Sequence, residues 1–297
     1  MSVIRFCLLI LICVASSASA QTVIDLNNGG SVRSKTLHDY DSELKMKIER
    51  EDSTRYADCL KRAFSALHCD SLKEAKKYFN EALQLRPTAG GNYVIEQHLG
   101  EIAEVEGLLN EAEAHYTQAL KINPELHHVR SARAVVAVQL HHFEEARTDC
   151  NTLLSLSLKK EERIRLLFVR ATALMGMRLN KEARSDLEEL CFLAPKNENI
   201  PVMLALSLHD EGRSQEAIER LNAHLRINPE NVEALALRAA IYSSQGLLDL
   251  ALLDYNETLR LTPGNADLYI ERAACLEKLG KRASAEKDRL TARKLRR

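Results

Sequence analysis

Residues 180–195, 214–229 and 248–263 read NKEARSDLEELCFLAP, SQEAIERLNAHLRINP and LDLALLDYNETLRLTP. Each segment has an alanine at its fourth place and a proline twelve residues later, and the three segments recur at intervals of 34 residues. A fixed period of this length indicates a protein that is built from repeated structural units.

The same frame extends towards the N terminus. KEAKKYFNEALQLRP (73–87) and NEAEAHYTQALKINP (110–124) keep the alanine-to-proline spacing, whereas EEARTDC (144–150) keeps the alanine and has Leu158 in the proline's place. Short insertions around Gly90 and Glu161 interrupt the array. The frame predicts seven units, which span 56–89, 93–126, 127–160, 164–197, 198–231, 232–265 and 266–297.

Each unit contains two amphipathic stretches that are joined by a short polar or glycine turn. In unit six, Leu235, Ala239 and Tyr242 recur at helical rather than strand spacing. Proline ends the second stretch because it lacks a backbone donor and clashes with the preceding turn of helix. One helical hairpin cannot bury its own apolar face, so successive units must stack. The pattern predicts an all-α solenoid.

The repeat closely resembles the tetratricopeptide repeat. The small residue of the first helix is present in every unit, the glycine between the helices in four, and the aromatic residue of the second helix in three, although the usual tryptophan is absent. These residues are Ala63, Gly100, Ala134, Ala171, Ala205, Ala239 and Ala273; Gly107, Gly212, Gly246 and Gly280; and Phe79, Tyr116 and Tyr255, with Leu187 and Leu221 relaxing the aromatic. The resemblance implies a right-handed superhelical solenoid of about seven helix-turn-helix repeats.

The resemblance also implies a function, because proteins of this family bind partners as extended segments or helices along a concave groove lined by the first helices. Carried over by position, the groove of this chain comprises Gln97, Glu101, Glu104, Ser131, Val135, Val138, Phe168, Thr172, Met175, Val202, Leu206, His209, Ala236, Ala240 and Ser243. Chaperone-binding members clamp a C-terminal carboxylate with lysine and asparagine side chains. Leu60, Phe64, His98, His128 and Ala132 stand at those places here, so we do not expect this clamp.

The first twenty residues have the layout of a cleavable secretory signal peptide. Arg5 precedes an apolar run, Phe6–Val14, and Ala18-Ser19-Ala20 provides a cleavage site after Ala20. The alternative is an uncleaved anchor, but about ten apolar residues are too few to span roughly 30 Å of hydrocarbon. We therefore expect a periplasmic or extracellular protein without stable membrane insertion. Residues 21–55 are predicted to hold a flexible tether and a capping helix whose apolar face is formed by Leu37, Tyr40, Leu44 and Ile48.

The charge balance favours no nucleic-acid partner. The formal net charge is −1, and without Arg5 it is about −2, which is unlike a dedicated nucleic-acid-binding protein. The basic segment from Lys281 to Arg297 has two interpretations, a patch for anionic ligands or the solvated outer face of the last repeat. We favour the solvated face, with cations near a helix C terminus.

One further recurrence predicts a structural ion pair. Arginine precedes the small residue of the first helix in four units, and an aspartate follows sixteen residues later. These residues are Arg133, Arg170, Arg238 and Arg272 with Asp149, Asp186, Asp254 and Asp288. Where the arginine is missing, His115 and Arg220 replace the aspartate, so we expect a pair that links the two helices of a hairpin.

The sequence contains no phosphate-binding glycine loop, zinc-protease motif or nucleophile elbow. Its five cysteines beyond the signal peptide form no disulfide framework, and we expect them to be buried apolar residues. The pairs His127-His128 and His141-His142 lie roughly 20 Å apart along one helix, too far to share a metal ion. We therefore expect a protein without catalytic residues, metal or cofactor.

The favoured hypothesis is an exported protein-binding scaffold. The alternatives are a self-associating structural solenoid and an accessory subunit of an envelope enzyme or secretion complex.

Overall fold

The computed structural model describes residues 54–296. Within this range the chain forms fourteen α-helices and no strand, and the helices pair in sequence as hairpins. The expected all-α fold of helix-turn-helix repeats is therefore confirmed. The predicted signal peptide, and the predicted tether and capping helix up to residue 53, lie outside the described residues.

The fourteen helices form seven hairpins of two helices each, and the first helix of the fourth hairpin begins at Lys160, before the predicted start of unit four at residue 164. They are α1 Thr54–His68, α2 Leu72–Leu85, α3 Asn92–Val105, α4 Leu109–Ile122, α5 His127–Gln139, α6 Phe143–Leu154, α7 Lys160–Gly176, α8 Asn180–Leu193, α9 Asn199–Asp210, α10 Ser214–Ile227, α11 Val232–Ser244, α12 Leu248–Leu261, α13 Ala266–Lys278 and α14 Arg282–Leu295. Hairpin one is α1 with α2, and hairpin seven is α13 with α14.

The chain divides into two compact units at Lys159. We call the described residues 54–159 the N-terminal unit, which holds hairpins one to three, and residues 160–296 the C-terminal unit, which holds hairpins four to seven. Within each unit the second helix of a hairpin packs against the first helix of the next hairpin. In the C-terminal unit the first helices α9, α11 and α13 also contact one another in turn.

The alanines that define the repeat frame are all buried where two helices approach. The seven are Ala75, Ala112, Ala146, Ala183, Ala217, Ala251 and Ala285, and each has no accessible surface. In the first six hairpins the residue four places later, such as Phe79, Tyr116 or Tyr255, is also buried. Small and large side chains thus alternate through each core, and this alternation lets neighbouring helices interlock at close distance.

Every hairpin turn contains one residue with a left-handed backbone, followed by a residue whose amide hydrogen bonds back to the first helix. Glycine occupies the left-handed place in four turns, at φ angles from 74° to 82°, as at Gly107 and Gly212. Asp70, His141 and Arg178 occupy it in the other three, at 55°, 64° and 60°. In the second hairpin the amide of Leu108 donates to the Ala103 carbonyl over 2.8 Å. This is the Schellman arrangement, which satisfies carbonyls at the helix end.

The second helices end where the sequence predicts. In five hairpins a proline stands two residues beyond the last helical residue, at Pro87, Pro124, Pro195, Pro229 and Pro263. Asparagine starts two of the following helices. The Asn231 side chain accepts from the Ala234 amide over 2.8 Å, and the Asn265 side chain accepts from the amides of Asp267 and Leu268.

The predicted ion pairs between the helices of a hairpin are confirmed. Arg238 donates from Nε and Nη2 to the two carboxylate oxygens of Asp254, over 2.8 and 2.7 Å, and three other hairpins repeat the arrangement. The guanidinium also reaches the preceding hairpin, because Arg238 Nη1 donates to Asn222 Oδ1 over 2.6 Å. Arg272 bonds Asn256 in the same way. Each such arginine therefore joins three helices.

Hairpin two, which lacks the arginine, has a different pair. His115, at the aspartate's place, lies 2.7 Å from a carboxylate oxygen of Glu96 on α3. The change of residue type between hairpins thus preserves a contact between the two helices. This outcome agrees with the covariation in the sequence.

The basic end of the chain forms ion pairs on its last helix. On α14, Arg289 stands where other hairpins have a buried aromatic or leucine, and it pairs with Glu277 and Glu286. This agrees with a solvated outer face.

The prediction that the five cysteines are buried is wrong for Cys69. Three of the five are buried and Cys191 is half-buried, but Cys69 is exposed because it follows the last residue of α1. Among the described residues, no helix combines the length and apolar character that crossing a membrane requires.

Candidate partner-binding groove

The groove positions of the N-terminal unit lie on α3 and α5. On α3, Gln97 is buried, Glu101 keeps 47% of its side-chain surface accessible and Glu104 is half-buried. On α5, Ser131 and Val138 are buried and Val135 is half-buried.

The groove positions of the C-terminal unit are more enclosed. Phe168, Thr172 and Met175 on α7, and Val202 and Leu206 on α9, are each at most 6% exposed. His209, and Ala236, Ala240 and Ser243 on α11, are half-buried. The five apolar or hydroxyl side chains on α7 and α9 are thus not an exposed apolar surface in this structure, and contact between them and a partner stays a prediction.

A network of hydrogen bonds connects two of the predicted groove residues of the N-terminal unit, Gln97 and Glu101, with two histidines. Gln97 Nε2 donates to Glu101 Oε1 over 2.9 Å, and His98 Nδ1 lies 2.7 Å from Glu101 Oε2. His128, at the start of α5, places Nε2 2.9 Å from Gln97 Oε1. The network therefore joins the first helices of hairpins two and three.

His98 and His128 were not among the predicted groove residues, although both stand at the positions of a chaperone clamp. The available signal was their position. His98 directly follows Gln97, and His128 begins the next first helix. Their hydrogen bonds are what identify them as part of the groove.

Burial, charge and hydrogen bonds act in opposite directions on the pKa values of the two groove carboxylates, Glu101 and Glu104. Loss of water favours the neutral acid of Glu101, but the charge and the hydrogen bond of His98, with the Gln97 amide, outweigh it and lower the pKa of Glu101. Burial raises the pKa of Glu104, and the charge of Glu101 raises it further, against the hydrogen bond that Tyr116 donates over 2.8 Å. Burial lowers the pKa of His128. The groove of the N-terminal unit is therefore a polar, partly dehydrated surface of negative charge.

The arrangement presents carboxylate oxygens and negative charge. Across the described part of the chain, no group of three or more histidine, cysteine, aspartate or glutamate side chains is placed to hold a metal ion. The remaining contacts of predicted groove residues are local. Thr172 donates to the Phe168 carbonyl over 2.9 Å, and His209 Nδ1 lies 2.8 Å from the Ser214 hydroxyl.

Comparison with known families identifies the repeat. A family model described as the tetratricopeptide repeat matches residues 59–88 and 97–126. Both segments lie in the N-terminal unit and coincide with hairpins one and two.

Two curated proteins show sequence similarity. Stress-induced-phosphoprotein 1 of Caenorhabditis elegans is 26% identical over 186 residues, which cover 63% of this chain and 57% of that protein. The Hsp70-Hsp90 organizing protein of Triticum aestivum is 24% identical over 184 residues, which cover 59% of this chain and 30% of that protein. This chain therefore spans about half the length of the first relative and less than a third of the second.

A solved structure shows the same fold. The crystal structure of a tetratricopeptide repeat protein from Parabacteroides merdae superimposes with a TM-score of 0.63 and 21% sequence identity. The match covers 82% of this chain and 94% of that chain. The likeness confirms the fold of the repeats.

Proposed function

We propose that this chain, which carries tetratricopeptide repeats, is a non-enzymatic scaffold or adaptor that binds a peptide or helix of another protein along the first helices of its hairpins. The hydrogen bond between His128 and Gln97 carries the proposal. It connects residues 31 positions apart, so the first helices of hairpins two and three present one continuous surface. Glu101 is accessible on that surface.

The comparisons support a binding role. The name of the wheat relative describes a protein that organizes Hsp70 and Hsp90, which is a role in bringing other proteins together. The partners themselves are not carried over to this chain, because it spans only 30% of that protein and lacks lysine and asparagine at the clamp positions. A short segment that is ordered on binding is expected to bind with a Kd on the order of 1–100 μM.

A pair of matched substitutions tests the proposal. Ala240 is half-buried at a groove position on α11, and Ala223 is exposed on the second helix α10. Ala240→Arg should block a partner from the groove beside α11, because the arginine side chain is long and carries a solvated charge. Partners captured from the native envelope or culture medium, quantified by mass spectrometry, should fall at least tenfold for Ala240→Arg and stay at the wild-type level for Ala223→Arg.

Both variants should keep the helical circular-dichroism signal and melt within a few degrees of the wild type. Equal capture by the two folded variants would place the binding surface away from the groove. Absence of any specifically captured protein in the wild type would contradict the proposed function itself.

Export of the protein is part of the same proposal. It rests on Arg5, the apolar run Phe6–Val14 and the small residues at Ala18 and Ala20. N-terminal sequencing of protein recovered from outside the cytoplasm should begin at Gln21. Protein that begins at Met1, or that is found only in the cytoplasm, would contradict export without affecting the binding proposal.

A further inference from the structure

The groove of the N-terminal unit contains a cluster that the proposed function leaves without a specific ligand. We call Gln97, His98, Glu101, Glu104 and His128 the His98 cluster. Its hydrogen bonds run from His128 through Gln97 to Glu101, and from Glu101 to His98. These contacts hold the Glu101 carboxylate in a defined position on the first helix α3.

Glu101 has capacity for a further donor. Each of its carboxylate oxygens accepts one hydrogen bond inside the cluster, and a carboxylate offers about four lone-pair sites. Its side chain is 47% accessible. The remaining acceptor sites can therefore be reached by a group from outside the chain.

His98 supplies an acceptor that has no partner within the described residues. The residue is only 8% exposed, its ring stacks on Phe79 with centroids 5.8 Å apart, and Phe64 packs edge-on against it. A carboxylate can only accept, so Nδ1 carries the hydrogen that Glu101 receives, and when the ring is uncharged its Nε2 is an acceptor. Nε2 is buried and makes no hydrogen bond. A buried polar atom without a partner costs free energy, and a bound donor would recover that energy.

The negative charge of this surface favours a positively charged ligand. Glu104 lies one turn of α3 beyond Glu101, and the two carboxylates repel each other, as the effect of Glu101 on Glu104 shows. The predicted groove positions of this unit include no lysine or arginine; they are Gln97, Glu101, Glu104, Ser131, Val135 and Val138. A cation between these groups would be stabilised, whereas a carboxylate would be repelled.

We propose that the His98 cluster binds a lysine or arginine side chain of the partner's peptide, with Glu101 as the principal counter-ion and His98 Nε2 as a second acceptor. The inference rests on the proposed function, because it specifies the chemistry of the segment that occupies the same groove. An ammonium or guanidinium group offers several N–H donors and positive charge, which together match both unfilled acceptors.

A display library of random dodecapeptides, selected on the immobilised protein, tests the inference. The wild type should enrich peptides that contain lysine or arginine. Glu101→Gln retains the size and one acceptor oxygen but removes the charge, and it should lose this enrichment. Glu111→Gln is the matched control, since Glu111 lies on the second helix α4 and pairs with Lys76 at 3.3 Å. It should select the same peptides as the wild type.

One enriched peptide then gives a quantitative test by fluorescence polarisation. Glu101→Gln should weaken binding at least fivefold, and replacing the peptide's key cation by norleucine should weaken it by a similar factor. The two changes together should weaken binding no more than either one alone. Additive losses, or equal binding by wild type and Glu101→Gln, would overturn the inference.

The outcomes separate this inference from the proposed function. Selection of groove-binding peptides that are acidic, or that depend on a free C-terminal carboxylate, would overturn the cation site and leave the scaffold function in place. Selection of no peptide by the wild type would contradict peptide binding, and the inference would fail with it.

Discussion

At the scale of single residues, the hairpin turns show how one backbone conformation tolerates different side chains. Gly212 has a φ of 82°, and a methyl group added there would have nothing within 4 Å. Arg178 has the equivalent left-handed conformation at 60°. Left-handed backbone is unfavourable for residues with a Cβ, so Arg178 carries a strain that Gly212 does not.

Exchanging these residue types should change stability in opposite directions. We expect Arg178→Gly to raise the free energy of unfolding by about 1 kcal/mol, and Gly212→Ala to lower it by about the same amount, because only the backbone preference changes. Urea unfolding followed by circular dichroism measures both. A loss of stability in Arg178→Gly would mean that contacts of the arginine side chain outweigh the strain.

Gly100 is small for a different reason. A Cβ built at this position would lie 2.5 Å from Cε1 of the Tyr116 ring, closer than van der Waals contact allows. The glycine thus lets α3 approach α4 where Tyr116 is fully enclosed. Hairpin six combines Ala239 with Tyr255 at the same two places, so the demand for glycine comes from the close approach of α3 and α4 in this hairpin and not from the tyrosine alone.

Gly100→Ala should therefore overpack hairpin two and lower the free energy of unfolding by about 1–3 kcal/mol. Gly90→Ala is the control, because a Cβ there meets nothing within 4 Å, and we expect a change of at most about 0.5 kcal/mol. Thermal melts of the two variants provide the measurement. If Gly100→Ala melts like the wild type, the approach of the two helices is looser than the contact distance indicates.

At the scale of helices, the arginine–aspartate pairs set how the members of each hairpin meet. Arg238 is about one-fifth exposed and Asp254 is 9% exposed, so water compensates poorly for a lost partner. A guanidinium that faces an aspartate through two parallel hydrogen bonds also has a defined orientation. These pairs specify geometry more than they add stability.

Removing one residue of the pair should lower the free energy of unfolding more than replacing both residues. Asp254→Ala leaves Arg238 partly buried and unpaired, and we expect a loss of about 3 kcal/mol in the free energy of unfolding. The double variant Arg238→Met with Asp254→Leu should lie within about 1 kcal/mol of the wild type. Denaturant titrations of the wild type, Asp254→Ala and the double variant measure both changes.

The exposed pair between Arg260 and Glu257 provides the comparison. Both side chains are more than 40% accessible, so Glu257→Gln should leave the free energy of unfolding nearly unchanged. If Asp254→Ala costs no more than this control, the buried pairs do not hold the hairpins in register.

At the scale of the whole molecule, the stability of each hairpin should depend mainly on its own contacts and on those with its neighbours. Within each of the two compact units, each hairpin contacts its neighbours in sequence, as the packing of second helices against following first helices shows. In an array of this kind, stability is approximately a sum of terms for single repeats and for their nearest-neighbour interfaces. A destabilised hairpin should therefore affect nearby hairpins most.

Hydrogen–deuterium exchange measures this distribution. In Gly100→Ala, amides of hairpins one to three should exchange faster than in the wild type, while amides of hairpins six and seven should keep their rates. The wild-type protein under identical conditions is the reference. A uniform increase along the chain would mean that the described part of the molecule unfolds as one cooperative body.

Much of the candidate groove could be assigned from sequence, but not its accessibility or its connections. Position in the repeat placed Gln97 and Glu101 on one face of a helix, and the structure joins them by a hydrogen bond. Position in the repeat also placed Phe168 and Leu206 in the groove, and the structure encloses both. Helical spacing specifies a face, whereas exposure depends on every group that comes near that face.

The sequence by itself determined the number of hairpins, the ends of the second helices, the buried alanines and the partners of Arg238 and Arg272. These features repeat with the backbone, and the geometry of the α-helix converts their spacing directly into contacts. The tertiary structure alone decided that His98 and His128 enter one network through Gln97 and Glu101. Such contacts occur once rather than in every repeat. They depend on distances between side chains of different helices, which sequence spacing does not encode.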